Sequence, residues 1–363
     1  MTKDSFPILG IDLEFFVRSA QTTAQFLVDI FGFTEVAYAA RTYSTSRLLV
    51  QNDIRFIVTE GSGADSPVAQ HVAKHGDGVR DIAFRVPDVR EAYKKAMLRG
   101  AIAHMPPHYE CDHYGTVVCA AIRTYGDTIH SLVERTRYSG LHLPGFEAVW
   151  SSPNPGIGLI TIDHMVGNVE RGQMNRWVKY YADVMGFTNL ISFTDKDIKT
   201  EYTALMSKVM QNSTGKVKFP INEPASENKS HVDEYLHYNG GPGVQHIAME
   251  TKDIVTTVRT LRERGVEFST IPRKYYDIVR KRFADVERVD IDTLAELSIL
   301  ADRDPDGYML QIFTRPVVDR PTLFFEIIER QGSQSFGHGN FQALYEAKEL
   351  EKAEREQAER GTL

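Results

Sequence analysis

Two histidines and one glutamate combine the residue types and the local sequence pattern of a metal site. They lie in three short runs: His164 in Ile160-Thr-Ile-Asp-His-Met-Val166, His246 in Gly243-Val-Gln-His-Ile-Ala248 and Glu326 in Phe324-Phe-Glu-Ile-Ile328. Each run is apolar and rich in β-branched or aromatic residues, which predicts a strand that holds the side chain on a stiff backbone. Two imidazoles and one carboxylate are the ligand set of a non-haem Fe(II) site with open positions for substrate and dioxygen.

An internal repeat supports the metal interpretation. Residues 78–89 match residues 243–254 nearly position for position, and a helical pattern that ends in Arg-Gly follows each segment. Two further anchors keep the same order, because Ile11-Asp-Leu13 matches Ile162-Asp-His164 and Leu132-Val-Glu-Arg135 matches Ile327-Ile-Glu-Arg330. Three anchors in order indicate that the chain contains two related halves.

The two halves differ at the ligand positions. The anchors place Leu13 opposite His164, Asp81 opposite His246 and Ser131 opposite Glu326. A half that lacks both imidazoles does not hold a divalent ion of this class tightly. We therefore predict a degenerate module without metal ligands in residues 1–150 and a catalytic, metal-binding module in residues 157–363.

The amino-acid composition and the net charge indicate which kinds of molecule this protein binds. The chain has 363 residues, of which 42% are hydrophobic and 25% charged, and its formal net charge is −7. These values are ordinary for a globular protein of two domains, and they disfavour nucleic acid or an anionic membrane as a partner. No apolar run approaches the roughly 18 residues that span a bilayer. The negative net charge favours a small molecule as the partner. Cys111 and Cys119 form no disulfide framework, so we expect a reducing, cytoplasmic location.

A polar segment that follows the predicted helix from Val89 to Leu98 contains a second group of possible ligands. His104, His108 and His113 lie near Cys111, but Pro106-Pro107 excludes a helical face there. The sequence therefore predicts a surface loop rather than a metal site. Residues 144–158 have the composition of a linker, and residues 272–301 form an insertion without a counterpart in the first half. A helix is predicted from Phe341 onward, either as a packing element or as a lid over the site.

Several motifs resemble those of the 4-hydroxyphenylpyruvate dioxygenases in the vicinal oxygen chelate superfamily. They are Asn222-Glu-Pro224, Gly243-Val-Gln-His246, Leu310-Gln-Ile-Phe-Thr314, Phe325-Glu-Ile-Ile-Glu-Arg330 and Phe336-Gly-His-Gly-Asn-Phe341. The resemblance covers essentially the whole chain and is strongest from about residue 156 to 350. It implies an α+β fold of two tandem modules, each of paired βαβββ units as in glyoxalases, with a C-terminal helix over the active site.

The resemblance also implies roles for individual residues. The iron ligands would be His164, His246 and Glu326. The residues that contact substrate or orient the ligands would be Ser207, Asn222, Gln245 and Gln311. The pocket would be completed by Phe313, Phe324, Phe336, Asn340, Phe341 and His231. His231 stands where the family usually has glutamine, so it is either a substrate contact or a loop residue.

The implied reaction is the oxidative decarboxylation and ring hydroxylation of 4-hydroxyphenylpyruvate by Fe(II) and O2. The products are homogentisate and CO2, a step of tyrosine and phenylalanine catabolism, and the enzyme is expected to be a homo-oligomer. The ligand set by itself does not distinguish iron from manganese.

Three other functions share parts of this pattern. 4-Hydroxymandelate synthase uses the same iron and substrate but hydroxylates the benzylic carbon; it carries an apolar residue where Asn222 stands, so the amide favours ring hydroxylation. An extradiol catechol dioxygenase would need an additional acid/base residue near the metal. A sequestering protein that binds small molecules would need no iron. Fold alone does not separate these alternatives.

Overall fold

The computed structural model describes residues 6–193, 205–225, 230–286, 289–337 and 339–340. Two mixed sheets organise these residues. The elements of the first part are β1 (Gly10–Val17), α1 (Ala20–Asp29), β2 (Thr34–Arg41), β3 (Ser44–Gln51), β4 (Ile54–Gly61), α2 (Pro67–His75), β5 (Gly78–Arg85), α3 (Val89–Leu98), β6 (Ile102–Asp112), β7 (Gly115–Arg123), β8 (Ile129–Tyr138) and β9 (Glu147–Ala148).

The elements of the second part follow a similar sequence, with two extra helices before the last three strands. They are β10 (Leu159–Asn168), α4 (Met174–Met185), β11 (Thr188–Phe193), β12 (Leu205–Gln211), β13 (Lys218–Pro224), α5 (His231–Asn239), β14 (Gly243–Thr251), α6 (Ile254–Glu263), α7 (Arg273–Arg282), α8 (Ile291–Leu297), β15 (Leu300–Asp304), β16 (Gly307–Phe313) and β17 (Phe324–Gln331).

Apart from the short edge strand β9 of the first sheet, the two sheets have the same topology. The first has the order β6-β7-β8-β5-β1-β4-β3-β2-β9, and the second, read from its other edge, has the order β15-β16-β17-β14-β10-β13-β12-β11. In both, the first strand of each βαβββ unit lies at the centre and pairs antiparallel with its counterpart from the other unit. The predicted α+β fold of paired βαβββ units in two modules is therefore confirmed.

Strand register corrects one detail of the repeat alignment. Leu13 lies opposite Ile82 in the first sheet, whereas Met165 lies opposite the matching Ile247 in the second. The structural counterpart of Leu13 is thus Met165 and not His164. The reason is a β-bulge in β10 between Ile162 and His164, which adds one residue that β1 lacks.

Two short helices connect the βαβββ units, and the sequence analysis did not identify them. Helix α2 begins after the N-cap Ser66, whose hydroxyl accepts from the Ala69 amide, and Pro67 occupies its first turn. Helix α5 begins with a capping box in which Ser230 and Asp233 exchange hydrogen bonds. Both capping signals are visible in the sequence. His231 is therefore the first residue of a helix and not a loop residue.

The predicted surface loop around His104 is wrong, because these residues belong to the edge strand β6. The strand pairs with β7 from Ile102 to Asp112, and its register shifts between Met105 and His108, where Pro106 and Pro107 lie. An edge strand tolerates proline because one row of its amides has no partner strand. Among the described residues, the clusters with ligand atoms close enough for a metal do not include these histidines.

The largest hydrophobic core cluster of the described residues includes side chains of both sheets. Phe325 of β17 packs edge to face on Phe31 at 5.0 Å between ring centroids and stacks on Phe56 at 6.2 Å. Trp177 of α4 packs on Tyr125 of the first module at 5.9 Å. These aromatic contacts hold the second sheet, and with it the site, against the first module.

The remaining elements lie at the borders of the second sheet. The predicted insertion forms α7 and α8, and its last residues start β15. The predicted lid helix from Phe341 onward lies outside the described residues. No helix in the described part of the chain is long and apolar enough to span a membrane.

Candidate metal centre and substrate cavity

Three neighbouring strands carry the predicted ligands. His164 lies in β10, His246 in β14 and Glu326 in β17, and these strands are adjacent in the second sheet. Ala248 of the middle strand lies opposite both His164 and Glu326. Hydrogen bonding between the strands therefore fixes the positions of the three side chains relative to one another on one face of the sheet.

The imidazoles of His164 and His246 both approach one carboxylate oxygen of Glu326. The Nε2 atom of His164 lies 3.2 Å from Glu326 Oε2, and the Nε2 atom of His246 lies 3.3 Å from the same oxygen. One ligand atom from each residue lies within 4.8 Å of the other two. His164 and Glu326 are buried, while His246 is slightly more exposed toward the cavity.

The hydrogen bonds around the three residues suit a metal ion. His164 donates from Nδ1 to Asp163 Oδ1 at 2.7 Å, and His246 donates from Nδ1 to Gln245 Oε1 at 3.1 Å. Each imidazole therefore presents an unprotonated Nε2 toward Glu326 when it is neutral. Glu326 Oε1 is buried without a hydrogen-bond partner among the described residues. An unpartnered carboxylate oxygen and two oriented imidazoles are a donor set that a divalent transition metal satisfies.

The electrostatic environment keeps Glu326 ionised. Burial alone would raise the pKa of Glu326, but the neighbouring imidazoles of His164 and His246 lower it to about 2. Burial likewise opposes the charge on Asp163, but His164 and Arg330 hold the pKa of that carboxyl well below its usual range. The site thus presents a carboxylate ligand and a second carboxylate behind one of the imidazoles.

Asp163 and Arg330 form a supporting network that the sequence analysis missed. Arg330 donates to both oxygens of Asp163, from Nε at 2.7 Å and from Nη2 at 2.9 Å. Lys218 Nζ lies 3.4 Å from Asp163 Oδ2, the oxygen that Arg330 Nε also contacts. The sequence repeat aligns Asp163 with Asp12 and Arg330 with Arg135, although strand register places Asp12 at the position of His164. Asp12 is likewise a buried carboxylate surrounded by arginines. The repeated aspartate and arginine are the feature of the sequence from which this network could have been predicted.

Arg330 also connects the network to the segment after β17. Its Nη1 donates to the carbonyl oxygens of Ser333 at 3.2 Å and Ser335 at 2.7 Å, and its guanidinium lies 5.1 Å from the ring centroid of Phe336. The Phe336 ring in turn packs edge to face on the imidazole of His164, with centroids 5.0 Å apart. One arginine therefore positions both the carboxylate behind His164 and the aromatic side chain above it.

A cavity of about 660 Å³ opens next to the three ligands. On most of the strands the lining residues are two apart, because alternate side chains point to the same face of a strand. On β14 the adjacent residues Gln245 and His246 both line the cavity, where the register with β10 shifts. All predicted site residues in the described part of the chain line this cavity: His164, Ser207, Asn222, His231, Gln245, His246, Gln311, Phe313, Phe324, Glu326, Phe336 and Asn340. Phe341 lies outside the described residues.

The polar residues on the wall differ in what they already contact. Gln245 is engaged with His246, whereas Ser207, Asn222 and Gln311 make no hydrogen bond from their side chains to another described residue. Ser207 lies directly opposite Asn222 in the sheet. Asn340 accepts from the Tyr275 hydroxyl at 2.7 Å, and its amide nitrogen is buried without a partner in the described ranges. Several donors on this wall are therefore available to a bound molecule.

Aromatic rings form the apolar side of the cavity. Phe324 stacks on His246 with centroids 4.8 Å apart, and Phe313 packs edge to face on Phe324 at 6.1 Å. Phe313 lies opposite Glu326 in the sheet, so its ring is beside the ligand atoms. His231 also lines the cavity, and burial lowers the pKa of its imidazole to about 4, with His246 adding to the effect. A neutral imidazole and several phenyl rings suit an aromatic ligand.

Two family models match the chain in consecutive stretches. Residues 6–143 match the model described as hydroxyphenylpyruvate dioxygenase, HPPD, N-terminal. Residues 161–312 match the model of the glyoxalase/bleomycin resistance protein/dioxygenase superfamily. The first range covers β1 to β8, and the second runs from β10 into β16, so it includes His164 and His246 but ends before Glu326.

Full-length relatives agree with these matches. A 4-hydroxyphenylpyruvate dioxygenase from Yarrowia lipolytica is 40% identical and covers 97% of this chain and 92% of its own. The enzyme of that name from Caenorhabditis elegans is 42% identical over 94% of this chain and 91% of its own. A solved triple mutant of 4-hydroxymandelate synthase from Streptomyces coelicolor is 32% identical, with a TM-score of 0.83 over 96% of this chain and 100% of that one. The chain therefore belongs to the 4-hydroxyphenylpyruvate dioxygenase family.

Proposed function

We propose that this chain converts 4-hydroxyphenylpyruvate and O2 to homogentisate and CO2 with Fe(II) as its metal, in tyrosine and phenylalanine catabolism. The observation that carries the proposal is the convergence of His164 Nε2, His246 Nε2 and Glu326 Oε2 beside the cavity, in a chain of this family. The atoms balance: the substrate carboxylate leaves as CO2, one oxygen atom of O2 enters the new carboxylate and the other becomes the second ring hydroxyl.

Fe(II) held by His164, His246 and Glu326 would supply the redox chemistry that activates O2 and a Lewis acid for the 2-oxo acid. The protein residues provide orientation. Asp163 and Gln245 hold the two imidazoles in the tautomer that directs Nε2 toward the ligand position. Without these bonds each ring would be free to rotate or to present the other nitrogen.

The wall of the cavity would orient the substrate relative to the ligands. The free side chains of Ser207, Asn222 and Gln311 offer hydrogen bonds at fixed positions on strands. Phe313 and Phe324 would pack on the aromatic ring. Placement on strands rather than loops limits the conformations that substrate binding must select.

Exclusion of water is the second contribution of the chain. Phe336 covers His164 from the segment that Arg330 holds in place. The C-terminal helix predicted from Phe341 would extend this cover as a lid. Shielding a reactive centre from water protects it from side reactions and strengthens the electrostatic interactions inside.

4-Hydroxymandelate synthesis is the second candidate, because the solved relative of that name has a TM-score of 0.83 against this chain. We favour homogentisate formation, since Asn222 places a polar amide on the cavity wall. The residue lies opposite Ser207 and beside Asn168 in the central part of the sheet, so that position is polar on both sides.

Product analysis tests the proposal. Iron-loaded protein is incubated with 4-hydroxyphenylpyruvate in the presence of O2, and products are identified by mass and retention. Homogentisate with one equivalent of CO2 is expected. 4-Hydroxymandelate as the main product would support the second candidate, and consumption of neither 4-hydroxyphenylpyruvate nor O2 would contradict both. Manganese-loaded protein in the same assay tests the choice of iron.

The division of the chain into two modules with different roles is also a proposal. We propose that residues 1–150 serve as a structural module without the catalytic metal, while residues 157–363 contain the catalytic site. The homo-oligomeric state and the cytoplasmic location stay predictions from the sequence.

A further inference from the structure

A second cluster of metal-binding side chains lies in the first module, outside the substrate cavity. His71 and His75 are four residues apart on α2, so they lie on the same face of the helix. Asp127, from the turn between β7 and β8, faces them. One ligand atom from each of the three residues lies within 4.8 Å of the other two. The ligand atoms of His164, His246 and Glu326 lie within the same distance limit.

His75 is oriented as a metal ligand would be. Its Nδ1 lies 2.5 Å from the carbonyl oxygen of Asn239, and because a carbonyl only accepts, this nitrogen carries the proton. Its Nε2 lies 2.8 Å from Asp127 Oδ2. An imidazole that donates to a backbone carbonyl through one nitrogen and presents the other is the usual arrangement behind a bound metal.

His71 supplies a second imidazole without a hydrogen-bond partner in the described part of the chain. Its ring lies 4.4 Å from that of His75 and packs edge to face on Phe16 at 5.3 Å. Burial, with His75 beside it, lowers the pKa of His71 to about 3, so the ring is neutral and its lone pair is available at neutral pH. The imidazole of His71 therefore has a nitrogen lone pair that is free to bind a metal ion.

The space between these residues suits a single atom. A cavity of about 10 Å³ is lined by His71, His75 and Asp127 together with Tyr235 and Asn239 of the second module. That volume is close to the minimum needed for one water molecule. It accommodates one ion and excludes an organic ligand.

We propose that His71, His75 and Asp127 form a second metal site, which takes a divalent transition metal of the zinc class. Two imidazoles and one carboxylate favour such an ion over Ca²⁺ or Mg²⁺, which prefer oxygen ligands. Lys74 competes for the same carboxylate, because its Nζ lies 2.7 Å from Asp127 Oδ2. The Lys74 side chain is 58% exposed, so it moves into solvent at little cost when an ion binds.

The position of the site gives the ion a structural role between the modules. Asn239, which holds His75, ends α5, and four residues later β14 begins, the strand that carries His246. Arg320 bridges the same place, since its guanidinium donates to the carbonyl oxygens of Lys74 and Tyr238 at 2.7 and 3.0 Å. A bound ion would fix α2 to the turn and stabilise the folded chain by mass action.

Zinc stoichiometry tests the site on the full chain without an affinity tag. The metal-free protein is dialysed against Zn²⁺ alone, and bound zinc is measured by elemental analysis. Two ions per chain are expected for the wild type. One is expected for His71→Asn, for His75→Asn and for His246→Ala, which removes a catalytic ligand. The combined variant His71→Asn/His246→Ala should bind none, while His108→Asn, a control on β6, should bind two.

Lys74→Met provides an independent measurement. Removal of the competing ammonium should tighten binding of the second zinc ion several-fold and raise the melting temperature in zinc further than in the wild type. A stoichiometry of one in the wild type, or of two in His71→Asn, would overturn the proposal. His71 makes no hydrogen bond to a described residue, so its variant tests the site even when His75→Asn folds poorly. Because zinc content is the readout, the result does not depend on the proposed dioxygenase activity.

Discussion

Asp163 accepts a hydrogen bond at 2.7 Å from His164, its immediate neighbour in the chain. Adjacent residues of a regular strand point to opposite faces, so this contact requires an irregularity. The β-bulge between Ile162 and His164 provides it. Arg330 donates to both carboxylate oxygens of Asp163. The bulge therefore creates both the ligand position and the carboxylate that orients the ligand.

We expect Asp163→Asn to lower the affinity for Fe(II) by about 10- to 100-fold, because the amide no longer fixes the imidazole as a carboxylate does. Equilibrium dialysis of the variant measures this change directly. Asp12→Asn is the matched control, since Asp12 is buried beside arginines in the first module and has no ligand neighbour. The control should lose stability but keep its iron affinity, and unchanged iron affinity in Asp163→Asn would refute the role.

His164→Ala, His246→Ala and Glu326→Ala should each abolish turnover and most iron binding. Loss of one of three protein ligands leaves too few to hold the ion. Iron content per chain is the measurement. Asp81→Ala, at the position of the first module that matches His246, should retain wild-type iron content. Full iron content in all three ligand variants would show that the metal lies elsewhere.

Asn222→Ile should divert part of the product from homogentisate to 4-hydroxymandelate without loss of iron. A hydrogen bond contributes about 0.5–1.5 kcal/mol net. If it stabilises only one of the two paths, ring or benzylic hydroxylation, its loss changes the product ratio by roughly two- to tenfold. Chromatographic product ratios measure the change. Ser207→Ala, at the opposing position, should raise KM with an unchanged product. Homogentisate alone at the wild-type rate from Asn222→Ile would exclude control of the branch by this residue.

Gly337→Ala should raise KM for 4-hydroxyphenylpyruvate by roughly two- to tenfold, the effect of one displaced hydrogen bond. Gly337 has a φ of +81°, and an added Cβ atom would lie 2.5 Å from Gln311 Nε2, so the amide must move. Gly172→Ala is the control, because its φ of +76° imposes similar backbone strain while the surrounding space is open. Both variants should lose comparable stability, and equal KM values would contradict the contact.

Stability should fall between pH 6.5 and about 4 in part because of His130. Burial lowers the pKa of His130 from 6.5 to about 4, so the unfolded chain binds a proton in this range that the folded chain does not. Stability therefore rises with pH across the window, by at most about 3 kcal/mol for this group. Urea unfolding at several pH values measures the slope. His130→Gln should reduce it, whereas His113→Asn, an exposed control, should not.

Local sequence determined much of the catalytic site. His164, His246 and Glu326 each lie in an apolar run whose residue types specify a strand, and the repeat shows that these runs occupy equivalent places in two modules. The capping signals at Ser66 and Ser230 likewise encode α2 and α5 locally. Such features depend on neighbours in the chain, so they can be derived from spacing and residue type.

Other features depend on contacts between distant residues. Pro106 and Pro107 indicate a loop locally, yet pairing with β7 incorporates them in an edge strand. The bulge at Asp163 exists only relative to β14, and the approach of Asp127 to His75 depends on packing between α2 and a turn 52 residues away. Spacing along the chain does not specify register or packing between elements. Tertiary structure alone decided these relationships, because each is the result of pairing with a partner that the local sequence does not contain.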